Sequence, residues 1–220
     1  MFLRINDTDL YYEKIGVGRP LILLHGNSES HKIFDKIVEP LSKQFTVYSI
    51  DSRGQGNSSR VDSISFQEMA DDTISFIKTL KIHKPVIYGF SDGGIIGLLI
   101  ASQYPGLLSK LIISGVNVSP AGIKDHFRIL FSIIHFITKD PRVKMMLTEP
   151  NITASDLAKI DIPTLVLVGS RDAVKKSDTQ FIVKNIPDSI LRVLKGEGHM
   201  SYVFHSPKLI PIIQNFCIAP

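Results

Sequence analysis

A single cysteine, Cys217, is all that the 220-residue chain carries, which excludes an internal disulfide and leaves no thiols at metal-ligand spacing. It reads as a buried packing residue, and no metal site is expected. Dense charge of one sign is missing too, since 25 basic residues stand against 21 acidic ones for a net charge of +4. Residues 1–115 balance at twelve of each sign, and the surplus of thirteen against nine is scattered over 116–220. A nucleic-acid groove needs a denser basic stripe, so no nucleic-acid partner is expected. The most apolar run, Gly93 to Ala101, is far short of the roughly 20 residues that span a bilayer, and no membrane partner is expected. The first residues, Met1 to Asp7, show no basic region leading into a long apolar stretch and no small-residue cleavage site, so a cytoplasmic protein is the expectation. Repeats and low-complexity tracts are absent. Gly54-Gln55-Gly56 is too short to cradle a phosphate, and no dinucleotide fingerprint follows a first strand. Acidic residues cluster only at Glu68, Asp71 and Asp72, which read as a solvated helix face.

What the chain does have is enough apolar content, 44%, to bury a sizeable single core. Phe2 to Ile15 alternates as a hairpin turning at Asn6-Asp7-Thr8-Asp9. The continuous apolar runs Leu21–Leu24, Phe45–Ile50, Val86–Tyr88, Leu111–Ile113, Leu165–Val168 and Ile190–Leu194 are of the kind that a parallel sheet covered on both sides demands. Amphipathic periodicity predicts helices over His31–Gln44 and Phe66–Leu80, and two more over Ser177–Ile186 and Pro207–Phe216. Strands alternating with helices make a doubly wound α/β domain. Its core is expected over 1–117 and 156–220, with an insertion over 118–155. Within that insertion, His126 to Ile137 is apolar on most of its circumference, and a helix of that kind must be covered by something.

The segment Val86-Ile87-Tyr88-Gly89-Phe90-Ser91-Asp92-Gly93-Gly94 places a serine between two glycines, after a β-branched run and before a helix-like apolar stretch. A strand that turns at once into a helix strains its turning residue and projects that side chain above the sheet edge. Three further apolar runs end in polar residues: His25-Gly26-Asn27 after Leu24, Asp172 after the run from Ile162, and His199 after the run from Ile190. The order Ser91, Asp172, His199 is that of the α/β-hydrolase triad.

On these residues, with Asp51-Ser52-Arg53-Gly54-Gln55-Gly56, Gly169-Ser170-Arg171-Asp172 and Gly196-Glu197-Gly198-His199, the chain resembles the α/β-hydrolase superfamily, in particular its small bacterial esterase-like members. The resemblance implies an α/β-hydrolase fold whose mostly parallel sheet has helices on both faces, with a short, helical and open cap at 118–155. It implies a cofactor-independent serine hydrolase that cleaves a carboxylic ester, an amide or a thioester of a small-molecule substrate through an acyl-serine intermediate. Ser91 would be the nucleophile, His199 the general base and acid, and Asp172 the residue that orients the imidazole. Backbone N–H groups of Asn27 and Asp92 would form the oxyanion hole. Asp51 is the rival acid, although its place in the Asp-x-Arg-Gly-x-Gly loop suits bonding to backbone amides. His25 reads as a shaper of the oxyanion loop, while His31, His83, His126, His135 and His205 take surface or packing roles.

A serine at the elbow argues against the epoxide and haloalkane hydrolases of the superfamily, which use an aspartate there. Carbon-carbon bond hydrolases, perhydrolases and a receptor-like ligand-binding protein with slow turnover share the triad and stay open, as does the oligomeric state. Substrate contacts are expected at Asp92, Phe131 and Ile134. Ser91-Asp92-Gly93-Gly94 is similar to the elbow of amino-acid ester hydrolases related to valacyclovir hydrolase, whose aspartate pairs with a substrate ammonium group. The alternative is that Asp92 starts the helix, where the macrodipole favours a carboxylate.

Overall fold

The computed structural model describes residues 1–218. Eight strands form one sheet: β1 (Phe2–Ile5), β2 (Thr8–Ile15), β3 (Arg19–Leu24), β4 (Phe45–Ile50), β5 (Val86–Phe90), β6 (Lys110–Ser114), β7 (Thr164–Arg171) and β8 (Ser189–Gly198). Their order across it is β1-β2-β4-β3-β5-β6-β7-β8. The β1–β2 hairpin turns on Asn6, an asparagine at φ 51° in the conformation that two-residue turns require. β2 pairs antiparallel with β4, and every pairing from β4 through β3, β5, β6 and β7 to β8 is parallel.

Alternate residues of the central strands feed two cores. Ile22, Leu24, Ile87, Leu111 and Ile113 pack on one face beneath α2 (Phe66–Thr79) and α3 (Asp92–Gln103). Leu21, Leu23, Val86, Tyr88 and Ile112 pack on the other beneath α1 (Asp35–Ser42) and α8 (Leu209–Ile218). Covered on both faces, these strands have no solvated side to carry polar residues, hence their unbroken apolar runs. The sheet is that of an α/β-hydrolase fold. Between β6 and β7 lie three helices, α4 (Asp125–Thr138), α5 (Pro141–Thr148) and α6 (Ala154–Leu157), and α7 (Lys176–Asn185) connects β7 to β8.

Four expectations fail for identifiable reasons. The segment from His31 is a 3-10 turn (His31–Phe34) followed by α1, not one helix, because the backbone N–H of His31 and its ring Nδ1 both bind Asp51, at 2.6 and 2.8 Å. His31 is thereby buried and paired, 7% exposed. Asp72 is 2% exposed, not solvated. Its two oxygens accept from Arg53 Nε at 2.6 Å and Arg53 Nη2 at 2.8 Å, while Glu68 takes a third guanidinium bond at 2.9 Å. Such a bidentate pair satisfies a charge that burial would otherwise penalise. β8 is the last strand of the sheet and is not covered on both sides, so Ile190 and Val193 stay 58% and 54% exposed. Finally, α4 is covered on one side only: none of its residues is fully buried, and Ile129, Ile133, Phe136 and Ile137 stay exposed on the other.

Candidate active site

Ser91 occupies the one-residue junction between β5 and α3, at φ 50°. A non-glycine residue is strained in that region and stays there only where its surroundings fix it. Here the Ser91 N–H donates to the Ser114 carbonyl at 2.8 Å, and the Ser91 carbonyl accepts from Gly94 and Ile95, at 2.9 and 3.1 Å, starting α3. The tight turn also requires its flanking glycines. A Cβ on Gly89 would strike the Gly93 carbonyl oxygen, and one on Gly93 the Leu24 carbonyl oxygen.

His199 follows β8 directly, and its Nε2 lies 3.3 Å from Ser91 Oγ. Its Nδ1 lies 2.7 Å from Asp172 Oδ1. A carboxylate accepts only, so Nδ1 carries the proton and Nε2 presents a lone pair to the serine hydroxyl. Asp172 is held by two backbone donors, Gly169 N–H to Oδ2 and Val174 N–H to Oδ1, both at 3.1 Å. Burial pushes its pKa up, but the His199 hydrogen bond and charge, with those two amides, outweigh burial and leave it below the usual carboxylate range. Phe90 packs against the imidazole at 4.9 Å between ring centroids. Gly115, unremarked in the sequence, is also needed, since a Cβ there would come within 2.7 Å of His199 Cε1. Its signal was a glycine directly after a buried strand, Leu111 to Ser114.

The other candidate residues fall close by. The Asn27 side chain donates to Asp92 Oδ2 at 2.8 Å, which ties the loop after β3 to the first residue of α3. As that first residue, Asp92 has a backbone N–H with no acceptor inside its own helix. Asn27 also donates to the Arg142 carbonyl at 3.3 Å, joining the loop to α5. His25 is buried, accepts the Ser52 N–H at Nε2 (3.0 Å) and donates from Nδ1 to the Gly26 carbonyl (2.7 Å), which locks its loop in place. Asp51 binds His31 and accepts the Asn57 N–H at 2.8 Å, so its bonds lie with loop amides and His31.

Beside Ser91 and His199 opens a cavity of about 510 Å³, walled largely by apolar side chains such as Ile95, Ile123, Phe127, Leu130, Phe131 and Met146. Phe131 belongs to that wall; Ile134 does not, because it lies a turn beyond the stretch of α4 that faces the cavity. Two carboxylates line it, Asp92 and Glu149, and Glu149 also caps α2 by accepting the Phe66 N–H at 3.0 Å. Asp92 is 3% exposed. Burial raises its pKa to about 7, against the Asn27 hydrogen bond and the His199 charge, which lower it. Glu29, on the same loop as Asn27, is raised to about 8 by burial and then by the Asp92 charge. Among the described residues no three His, Cys, Asp or Glu side chains converge as a metal site requires.

The Asp92 environment makes a prediction about stability. An aspartate titrates near 3.9 in the unfolded chain and about 7 in the fold, so between those values the folded protein holds a proton that the unfolded chain has lost. Stability therefore falls as pH rises across that window and levels off above it. Asp92→Asn keeps an oxygen for Asn27 but cannot ionise. Thermal melts of the variant should decline less between about pH 4 and 7 than those of the wild type; parallel curves would mean that Asp92 ionises in the fold without cost.

Comparison with known proteins agrees with this architecture. A model of the alpha/beta hydrolase fold family matches residues 19–132. The AB hydrolase superfamily protein YisY of Bacillus subtilis is 27% identical over 253 aligned positions, covering 94% of each chain. The human serine hydrolase BPHL is 26% identical over 249, covering 96% of this chain and 84% of its own. Both alignments are longer than this 220-residue chain, so these relatives carry segments that it lacks. Among solved structures, the enol-lactonase from Burkholderia xenovorans superimposes with a TM-score of 0.83 at 16% identity, covering all of both chains. An esterase from Thermogutta terrifontis does so with 0.81 at 21% identity, covering 99% of this chain and 98% of its own. Both show likeness of fold.

Proposed function

The chain belongs to the alpha/beta hydrolase family, and within it we propose a cofactor-independent serine hydrolase that cleaves carboxylic esters of small molecules through an acyl-serine intermediate. The observation that carries this reading is the hydrogen-bonded line from Asp172 through His199 to Ser91, with the cavity beside it.

In the first half-reaction Ser91 Oγ attacks the ester carbonyl carbon while His199 Nε2 takes the hydroxyl proton. The ring becomes an imidazolium, which the Asp172 carboxylate stabilises without itself being protonated. The negative charge on the carbonyl oxygen is met by the Asn27 and Asp92 backbone N–H groups. Collapse breaks the bond to the leaving alcohol, which departs with the proton from His199. Water then repeats the sequence on the acyl-serine and releases the acid. Apolar walls suit an uncharged acyl group, and the experiment is a rate series over p-nitrophenyl esters of increasing acyl length. Turnover should rise until the chain fills the cavity and fall beyond it.

Asp92 supports a narrower reading, in which the substrate carries an ammonium group near its carbonyl. It lines the cavity directly after Ser91, and among the described residues no arginine or lysine shares that wall. An ammonium placed there would favour the ionised carboxylate and offset the cost of its burial. Asp92→Asn should then lower kcat/KM for α-amino acid esters by about ten- to a hundred-fold, the range of a charge-assisted hydrogen bond. Neutral esters of equal size should change far less. Equal losses on both would leave Asp92 as the residue that starts α3 and holds Asn27.

A further inference from the structure

The large apolar side chains that α4 leaves in water fall on one stripe. Ile129, Ile133, Phe136 and Ile137 are 61%, 53%, 75% and 73% exposed, and at 100° per residue their spacing keeps all four within about 100° of the helix circumference. Phe127 and Phe131 point the other way and wall the cavity. Leu130 stands at the border, lining the cavity while still 48% exposed. The stripe is thus continuous with the site. Contiguous exposed apolar surface of this kind marks a face that meets something other than water.

Charge says what that is. Between residues 124 and 144 five basic side chains, Lys124, Arg128, Lys139, Arg142 and Lys144, stand against two acidic ones, Asp125 and Asp140. Arg128 and Lys175 share Asp125, at 3.8 and 3.0 Å, Arg142 forks onto Asp140, and Lys124 is bonded to the Asp172 carbonyl, which leaves Lys139 and Lys144 with no carboxylate partner among the described residues. Lys139 follows α4 in a left-handed cap and holds its ammonium 4.8 Å from the Phe136 ring centroid, so a cation sits where the stripe ends. Two such faces meeting about a two-fold axis would set like charges against each other. An anionic surface would neutralise them.

We propose that α4 docks the protein on an anionic lipid bilayer surface, with Ile129, Ile133, Phe136 and Ile137 entering the acyl boundary and Lys139 and Lys144 at the headgroups. The cavity then adjoins the membrane along Leu130, and an apolar substrate can reach it without crossing bulk water. Docking of this kind is independent of the chemistry at Ser91. No helix among the described residues is long and apolar enough to cross a membrane, so the association lies in the interface plane.

The test is vesicle binding by the full chain. Co-sedimentation should be strong with vesicles of mixed phosphatidylglycerol and phosphatidylcholine, and roughly ten-fold weaker with phosphatidylcholine alone or at high salt. The chain has no tryptophan, so Phe136→Trp supplies a single reporter whose emission should move to shorter wavelength on the anionic vesicles. Ile133→Glu combined with Phe136→Glu should abolish binding while the melting temperature stays near that of the wild type. If that double variant misfolds, Lys139→Glu with Lys144→Glu should weaken anionic-vesicle binding alone. Wild-type protein that ignores anionic vesicles, binds neutral ones equally well, or binds unchanged after the double substitution would overturn the proposal. A wild-type dimer that the double variant converts to monomer, with no vesicle binding, would assign the stripe to a second copy and overturn it as well.

Discussion

Ser91→Ala should reduce ester hydrolysis by four orders of magnitude or more, to a residue set by binding and the oxyanion donors alone, as expected when a triad nucleophile is removed. The strained junction between β5 and α3 tolerates alanine as well as serine, because the bonds that hold it run through the backbone N–H and carbonyl of residue 91. The variant should therefore fold, and the loss should be chemical. His199→Ala should be nearly as severe, and the double variant little worse than either, because residues that act as one unit are not additive. Steady-state kinetics on a short p-nitrophenyl ester measure all three. Multiplying losses in the double variant would show two independent contributions in place of a hydrogen-bonded pair.

Asp172→Asn should lower turnover by roughly 10⁴ while the protein stays folded. The backbone donors Gly169 and Val174 now meet two carboxylate oxygens. An amide offers only one oxygen to them, and its NH₂ turned toward His199 Nδ1 selects the tautomer whose Nε2 bears a hydrogen and cannot accept from Ser91. Asp51→Asn should do something different. Asp51 accepts the His31 and Asn57 amides and the His31 ring, and losing one acceptor in a buried site costs roughly 1–3 kcal/mol, or several degrees of melting temperature. Its effect on turnover should be small beside that of Asp172. Turnover lost at Asp51 and kept at Asp172 would reverse the assignment of the acid.

The parts of this molecule that could be read in sequence are those whose cause is local. The apolar runs mark the strands, the central ones because the sheet is covered on both faces there, and Ser91, Asp172 and His199 stand out because each follows such a run. Family resemblance added the order of the three. What could not be read depends on partners distant in the chain. Asp72 looks solvated until Arg53, nineteen residues earlier, is folded against it, and His31 looks unpartnered until Asp51 arrives twenty residues later. Gly115 matters only because His199 swings above it from the far end of the sheet. The 3.6-residue pattern identifies α4 as a helix, but whether its apolar circumference is covered depends on how much chain surrounds it. Ile134 shows the same limit, since periodicity gives a face and not where along the helix a cavity ends.

Activation of the Ser91 hydroxyl can be read by mass-spectrometric mapping of the native protein after brief exposure to a fluorophosphonate. Such a reagent bonds to an oxygen only where a base removes its proton. One adduct per chain should form, at Ser91, and none when His199 is replaced by alanine. An unlabelled Ser91, or labelling that persists at full rate without His199, would contradict that activation.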